Sequence, residues 1–159
     1  MKNEWAARYS SAGSFDDGAY SICLDDSGNV DVTGGVHISS GYKCVTIKYN
    51  KYGDSLWVRE YQRPGNNYNL GNDIKLDDSC NVYVAGAESV LKYDQNGNLK
   101  WTAYHQANYV KLVLDTLGNI YAAGIGSGRY VVAKYDRNGN NYWVNRMPGA
   151  FHIKGLVLD

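Results

Sequence analysis

Three histidines (His37, His105, His152) and three cysteines (Cys23, Cys44, Cys80) are the residues best suited to metal binding or nucleophilic chemistry. They are scattered, with no CxxC pair and no spacing of the zinc type, and an odd cysteine count cannot close a disulfide framework. Asp94-Gln95-Asn96-Gly97-Asn98 has the Asp/Asn density of a calcium loop but not its bidentate Glu at the twelfth position, so it reads as a hairpin turn. No Ser-His-Asp or Cys-His constellation and no Gly-Lys-Ser/Thr phosphate loop is present, and no cofactor motif. An enzyme would have to assemble its site from distant loops, with Glu88, Asp73 and His105 as the first groups to test. The other chemistry on offer is binding, by 15 Tyr, 4 Trp and the Arg residues among them.

Those residues sit in a tandem repeat, the feature to seek before any other. One phrase, Leu24-Asp25-Asp26-Ser27-Gly28-Asn29-Val30, returns as Leu76-Asp77-Asp78-Ser79-Cys80-Asn81-Val82 and as Leu114-Asp115-Thr116-Leu117-Gly118-Asn119-Ile120. A second phrase alternates with it: Lys48-Tyr49-Asn50-Lys51-Tyr52-Gly53, Lys92-Tyr93-Asp94-Gln95-Asn96-Gly97 and Lys134-Tyr135-Asp136-Arg137-Asn138-Gly139. Trp57, Trp101 and Trp143 each follow the Lys of that phrase by nine positions, and Trp5 is the tail of a further copy.

Each repeat predicts four strands: a at 19–24, 73–76, 109–114 and 153–158; b at 30–33, 82–85 and 120–123; c at 44–49, 90–93 and 130–135; and d starting at each Trp. The segments are short, rich in Val, Ile and Tyr, and bounded by Gly, Asn and Asp. No helical apolar period is visible. In the turns the Asp carboxylate can accept a backbone amide two residues on while Gly takes a positive φ. Cys80 stands in that Gly slot, at a cost of about 1 kcal/mol.

The pattern Leu-Asp-x-x-Gly-Asn-Val-Tyr-Val-x-Gly followed by Lys-Tyr-Asp-x-x-Gly-x-x-x-Trp resembles the bacterial seven-bladed β-propeller repeat proteins, over nearly the whole chain. It is more weakly similar to NHL-type repeats, which usually carry Asp where Gly34, Gly86 and Gly124 stand here. Pyrroloquinoline-quinone-type propellers share the Gly-x-x-x-Trp ending, but their catalytic residues have no counterpart. The resemblance implies an all-β propeller of four-stranded blades and a scaffold for a ligand or partner, often extracellular, with no catalytic residue set.

The expected architecture is a single domain over 1–159: repeats near 19–61, 72–104 and 109–147, with strand fragments at 3–9 and 152–159. Three blades cannot close a ring that needs about four to eight, so the expected partners are further copies of the chain or further blades of a longer one. With 16 basic and 16 acidic residues the chain is neutral, which argues against a sequence-independent grip on nucleic acid. No apolar run reaches the roughly 18–20 residues of a spanning helix, and no signal peptide is visible.

The a–b and c–d turns keep a constant length, while the d–a and b–c connections vary and should share one face. Variable loops on a rigid frame are where binding usually sits. Tyr42, Arg63, Tyr68, His105, Tyr109, Arg129 and Phe151 are the candidate residues there for a glycan, peptide or protein, with Phe15, His37 and His152 as further members. Ring packing between blades is the structural alternative for each. The repeated Trp residues are expected to fill the wedge between blades. Lys48, Lys92 and Lys134 are expected on a solvated edge or paired with Asp25, Asp77 and Asp115.

Overall fold

The computed structural model describes residues 5–9, 16–149 and 153–158. These hold β1 (Gly18–Leu24), β2 (Val30–Ile38), β3 (Gly41–Tyr49), β4 (Ser55–Tyr61), β5 (Gly71–Leu76), β6 (Val82–Tyr93), β7 (Leu99–Leu114), β8 (Ile120–Gly126), β9 (Arg129–Tyr135) and β10 (Asn141–Pro148). Neighbouring strands pair antiparallel in two sheets, one ordered β1-β2-β3-β4 and the other β10-β9-β8-β7-β6-β5. Among the described residues there is no helix.

Two strands each fill two of the expected places. β6 pairs with β5 through residues 82–86 and with β7 through residues 87–93. β7 then continues past Asn108 to pair with β8. The second repeat has the shortest b–c connection and is followed by the shortest d–a connection; the b and c halves of β6 still turn back on each other, bringing Lys92 over the Tyr83 ring. The backbone marks the b–c connections: Glu88 sits at φ 58 within β6, and the corresponding Ser127-Gly128 pair between β8 and β9 sits at φ 51 and 69.

Residues 5–9 and 153–158, the described parts of the expected fragments at 3–9 and 152–159, lie outside every ladder. An extended chain without a hydrogen-bonded neighbour is not a strand, whatever its sequence.

The turns have the expected chemistry. Asp25 Oδ1 accepts the amides of Ser27 (3.0 Å) and Asn29 (2.8 Å), while Asn29 Nδ2 donates to Oδ2. The same pattern recurs at Asp77, Asp94, Asp115 and Asp136. Asn50 performs it with its amide oxygen. Cys80 occupies the glycine slot at φ 57, in the left-handed region that a side chain makes unfavourable.

Between the blades Trp57 and Trp101 wedge as expected, through a repeated contact, whereas Trp143 is 43% exposed. Trp57 Nε1 donates to the Gln95 carbonyl (3.1 Å) and Trp101 Nε1 to the Arg137 carbonyl (3.1 Å), each in the c–d turn of the following blade. The glycine of that turn makes room: a Cβ on Gly97 or Gly139 would meet the Trp ring at 2.8 or 2.6 Å. Around these wedges lie two apolar clusters, one holding Trp57, Ile74, Val82, Leu91 and Tyr93, the other Tyr83, Tyr109, Leu112, Ile120 and Tyr135.

Candidate functional site

The b–c and d–a connections meet on one face. The d–a segment after β4 reaches the first b–c hairpin, where the Tyr42 amide donates to the Asn67 carbonyl (2.7 Å) and the Asn69 amide to the Tyr42 carbonyl (3.0 Å). It also reaches the second, where the Arg63 guanidinium pairs with Glu88. The side chains of Asn66 and Asn69 cap this segment from within, as acceptor for the Tyr68 amide and donor to the Asn66 carbonyl. The backbone therefore presents Tyr68 outward on an ordered loop rather than burying it.

Three rings follow one another across this face. His37 meets Tyr42 edge-on at 4.8 Å, and Tyr42 meets Tyr68 edge-on at 5.3 Å. Beside Tyr68 opens a hollow of about 470 Å³, lined by Asn66, Tyr68, Glu88, Gln106, Asn108 and Ser127 among others. Two residues of that lining, Glu88 and Ser127, are, with Cys80, the non-glycine residues held at positive φ among the described residues. Such backbone strain gathers at functional sites. Arg63 lies 4.9 Å over the Tyr104 ring, and the Tyr104 and Tyr61 hydroxyls are 2.6 Å apart. Burial and that hydroxyl contact raise the Tyr61 phenol well above the ordinary tyrosine range. The hollow offers amide donors and acceptors, one carboxylate and an exposed aromatic edge: groups that bind neutral polar ligands.

The candidate residues divide accordingly. Tyr42 and Tyr68 are in ring contact, and Arg63, on the same d–a segment as Tyr68, pairs with Glu88 of the hollow's lining. His105 is half-buried with its ring 5.6 Å from Tyr135, and burial, with Arg146 nearby, lowers its pKa. Arg129 is exposed at the head of β9, beside Ser127-Gly128. Tyr109 is a correction: it is fully buried and its hydroxyl lies 3.1 Å from that of Tyr135, so it belongs to the core. It stands at the expected start of strand a, at the loop-face end, but its side chain points into the core of β7 and its neighbours. Phe15, Phe151 and His152 fall outside the described residues. Of the groups for an enzyme, Asp73 is a clasp between blades, accepting from Ser21 Oγ (2.9 Å) and the Leu112 amide (2.9 Å). That role has no repeated letter to betray it in the sequence.

The buried ionic cluster lies at the opposite, a–b turn face. Lys48 Nζ is 2.6 Å from Asp31 Oδ2 and 3.0 Å from Asp25 Oδ2, all three side chains almost fully enclosed. Burial pushes the Asp31 carboxyl above its ordinary value, and the Lys48 contact only partly offsets this. For Asp25 burial acts the same way, but the hydrogen bonds from Asn29 and Lys48 outweigh it and hold the carboxyl low. Burial drives the thiols of Cys23 and Cys44 up, to about 12 and about 11, which disfavours their thiolate forms. Among the described residues, no group of three or more His, Cys, Asp or Glu could hold a metal ion.

An all-β chain of antiparallel sheets, with propeller-type solved structures as its neighbours, decides the fold. The fold is a β-propeller. A Bacteroides caccae protein of unknown function matches with a TM-score of 0.58 at 16% identity, covering 94% of this chain and 51% of that one. BamB from Moraxella catarrhalis matches at 0.59 and 19%, covering 87% and 40%. Virginiamycin B lyase from Staphylococcus aureus matches at 0.55 and 15%, covering 82% and 41%. The chain thus spans about half, or less, of these propellers. No family model and no curated protein matches it.

Proposed function

We propose that this chain is a non-catalytic propeller scaffold that binds a carbohydrate or a peptide through its b–c and d–a loop face, and that completes its ring by self-association. The observation that carries the reading is the Tyr42–Tyr68 pair beside the amide-lined hollow. An exposed tyrosine edge supplies stacking area, and neighbouring Asn, Gln and Glu groups supply directional hydrogen bonds; together these suit a sugar ring or an extended peptide.

Glycan and peptide arrays probed with the chain identify the ligand class. Tyr68→Ala then weakens binding of the best array hit about tenfold or more, the loss expected for a central aromatic anchor. Unchanged binding in both Tyr68→Ala and Tyr42→Ala rejects this face. Turnover of an array hit, lost on replacing Glu88 or His105, rejects the non-catalytic reading.

A further inference from the structure

Each blade has a leading face, which receives the preceding blade, and a trailing face, which carries the Trp. Five positions build the leading face. In the second blade they are Ile74, Val82, Val84, Leu91 and Tyr93, and in the third Leu112, Ile120, Ala122, Ala133 and Tyr135, all of them buried. In the first blade the same positions are Ile22, Val30, Val32, Ile47 and Tyr49. They are of the same apolar kind, yet they line an open hollow of about 470 Å³, and Ile22 is 61% exposed where Ile74 is 0%.

Among the described residues outside the first blade, the short segment at residues 5–9 covers that hollow. Trp5 Nε1 donates to the Lys51 carbonyl (3.1 Å), its ring lies 6.1 Å from Tyr49, and a Cβ on Gly53 would meet it at 2.8 Å. This reproduces the Trp57 seat, where the ring lies 6.2 Å from Tyr93. However, Trp5 is 37% exposed against 8% for Trp57, and no ladder holds its segment. At the other end, Trp143 stands on β10, which is fully laddered to β9, and it is 43% exposed. Its ring touches Tyr121 of its own blade, and no carbonyl among the described residues receives its Nε1 in the way that the other three are received.

We infer that the leading face of the first blade is a docking surface for the trailing face of the third blade of a second copy of this chain, with Trp143 of one copy taking the seat that Trp5 holds in the other. The inference rests on the self-association part of the proposed function and names its seam. Two copies joined in this way at both seams form a two-fold ring of about six blades, within the four to eight that close. The bound Trp donates to the Lys51 carbonyl and lies over Gly53, and the exposed Met147 and Tyr142 come to the edge of the hollow. Trp5 is therefore a competitor: an internal stand-in that guards the apolar face of the free chain.

Light scattering over a concentration series tests this in the 159-residue chain and in three variants. The unaltered chain is expected to approach twice 17.7 kDa as concentration rises. Trp143→Ala weakens the dimer about tenfold or more, as loss of a central Trp anchor does. Trp5→Ala tightens it, because the seat is vacated, and the double variant is as weak as Trp143→Ala. Both Trp side chains are substantially exposed, and circular dichroism of each variant checks that the fold is retained. A dimer that survives Trp143→Ala, or that weakens in Trp5→Ala, overturns this seam while leaving self-association standing. A mass of 17.7 kDa for the unaltered chain and Trp5→Ala at every concentration overturns both, and leaves a further blade in cis as the occupant. Loss or retention of glycan binding is read separately, on the loop face.

Discussion

The first and second blades place the same repeated lysine in different surroundings. Lys48 is enclosed between Asp25 and Asp31, at 3.0 and 2.6 Å. Its counterpart Lys92 lies 4.9 Å over the Tyr83 ring and donates to the Arg137 carbonyl, while the Tyr83 hydroxyl donates to Asp77 (3.0 Å). One residue decides this: Asp31 stands where the later repeats carry Tyr83 and Tyr121. A tyrosine supplies apolar bulk and a donor for the turn carboxylate, so the lysine need only lie across its ring. An aspartate supplies charge, which draws the lysine inward and leaves Asp31 Oδ1 buried without a hydrogen bond among the described residues. The repeat therefore preserves the turn and varies the means of neutralising it.

Removing each lysine distinguishes the two seats most strongly. Lys48→Met leaves two enclosed carboxylates without their cation and is expected to cost about 3–5 kcal/mol, as breaking a buried pair does. Lys92→Met removes a partly exposed cation from a ring and is expected to cost about 0.5–1 kcal/mol. Urea unfolding of the two variants measures both; equal losses would show that the two seats are energetically alike.

Acid titration separates the carboxylates by sign. Burial raises Asp77 also, but the hydrogen bonds from Asn81, Tyr83 and Ser79 prevail and lower its pKa. Its contribution is therefore present above the ordinary aspartate value of about 4 and is lost as pH falls through the lowered one. Asp31 is raised, so the folded state binds its proton more readily, and stability from this group rises as pH falls toward about 4. Against Asp77→Asn, the advantage of the unaltered chain, about 1 kcal/mol at neutral pH, should shrink in acid. Against Asp31→Asn its relative stability should grow in acid. Unfolding free energies from pH 7 to 3 check both signs, and parallel curves would contradict the assignment.

The smallest effect concerns the turns. Cys80→Gly is expected to stabilise the second blade by about 0.5–1 kcal/mol, since φ 57 then costs nothing. Gly28→Ala, at φ 80 in the equivalent turn of the first blade, is expected to lose a similar amount. Thermal unfolding compares the pair, and shifts of the same sign would show that the two turns differ in backbone demand.

What the sequence determined by itself is what short-range chemistry controls. An Asp, a Gly three residues on and an Asn after it close a turn through bonds spanning two and four positions, so those turns were legible from spacing alone. The same holds for strands of alternating Val, Ile and Tyr between such turns, and for a Trp at constant distance, which meets the same turn wherever a following blade is present. Contacts across long stretches of chain were settled only by the tertiary structure. Tyr68 lies in a d–a connection that leaves the sheet and exposes its ring, whereas Tyr109, at the start of an a strand, stays in the ladder and is buried. Arg63 finds Glu88 and Asp73 joins Ser21 to Leu112 through the packing of successive blades, which no repeated letter encodes. The same is true of Lys48: its nearness to Asp31 is fixed by the register of β2 against β3, and its burial by the blade packed over them.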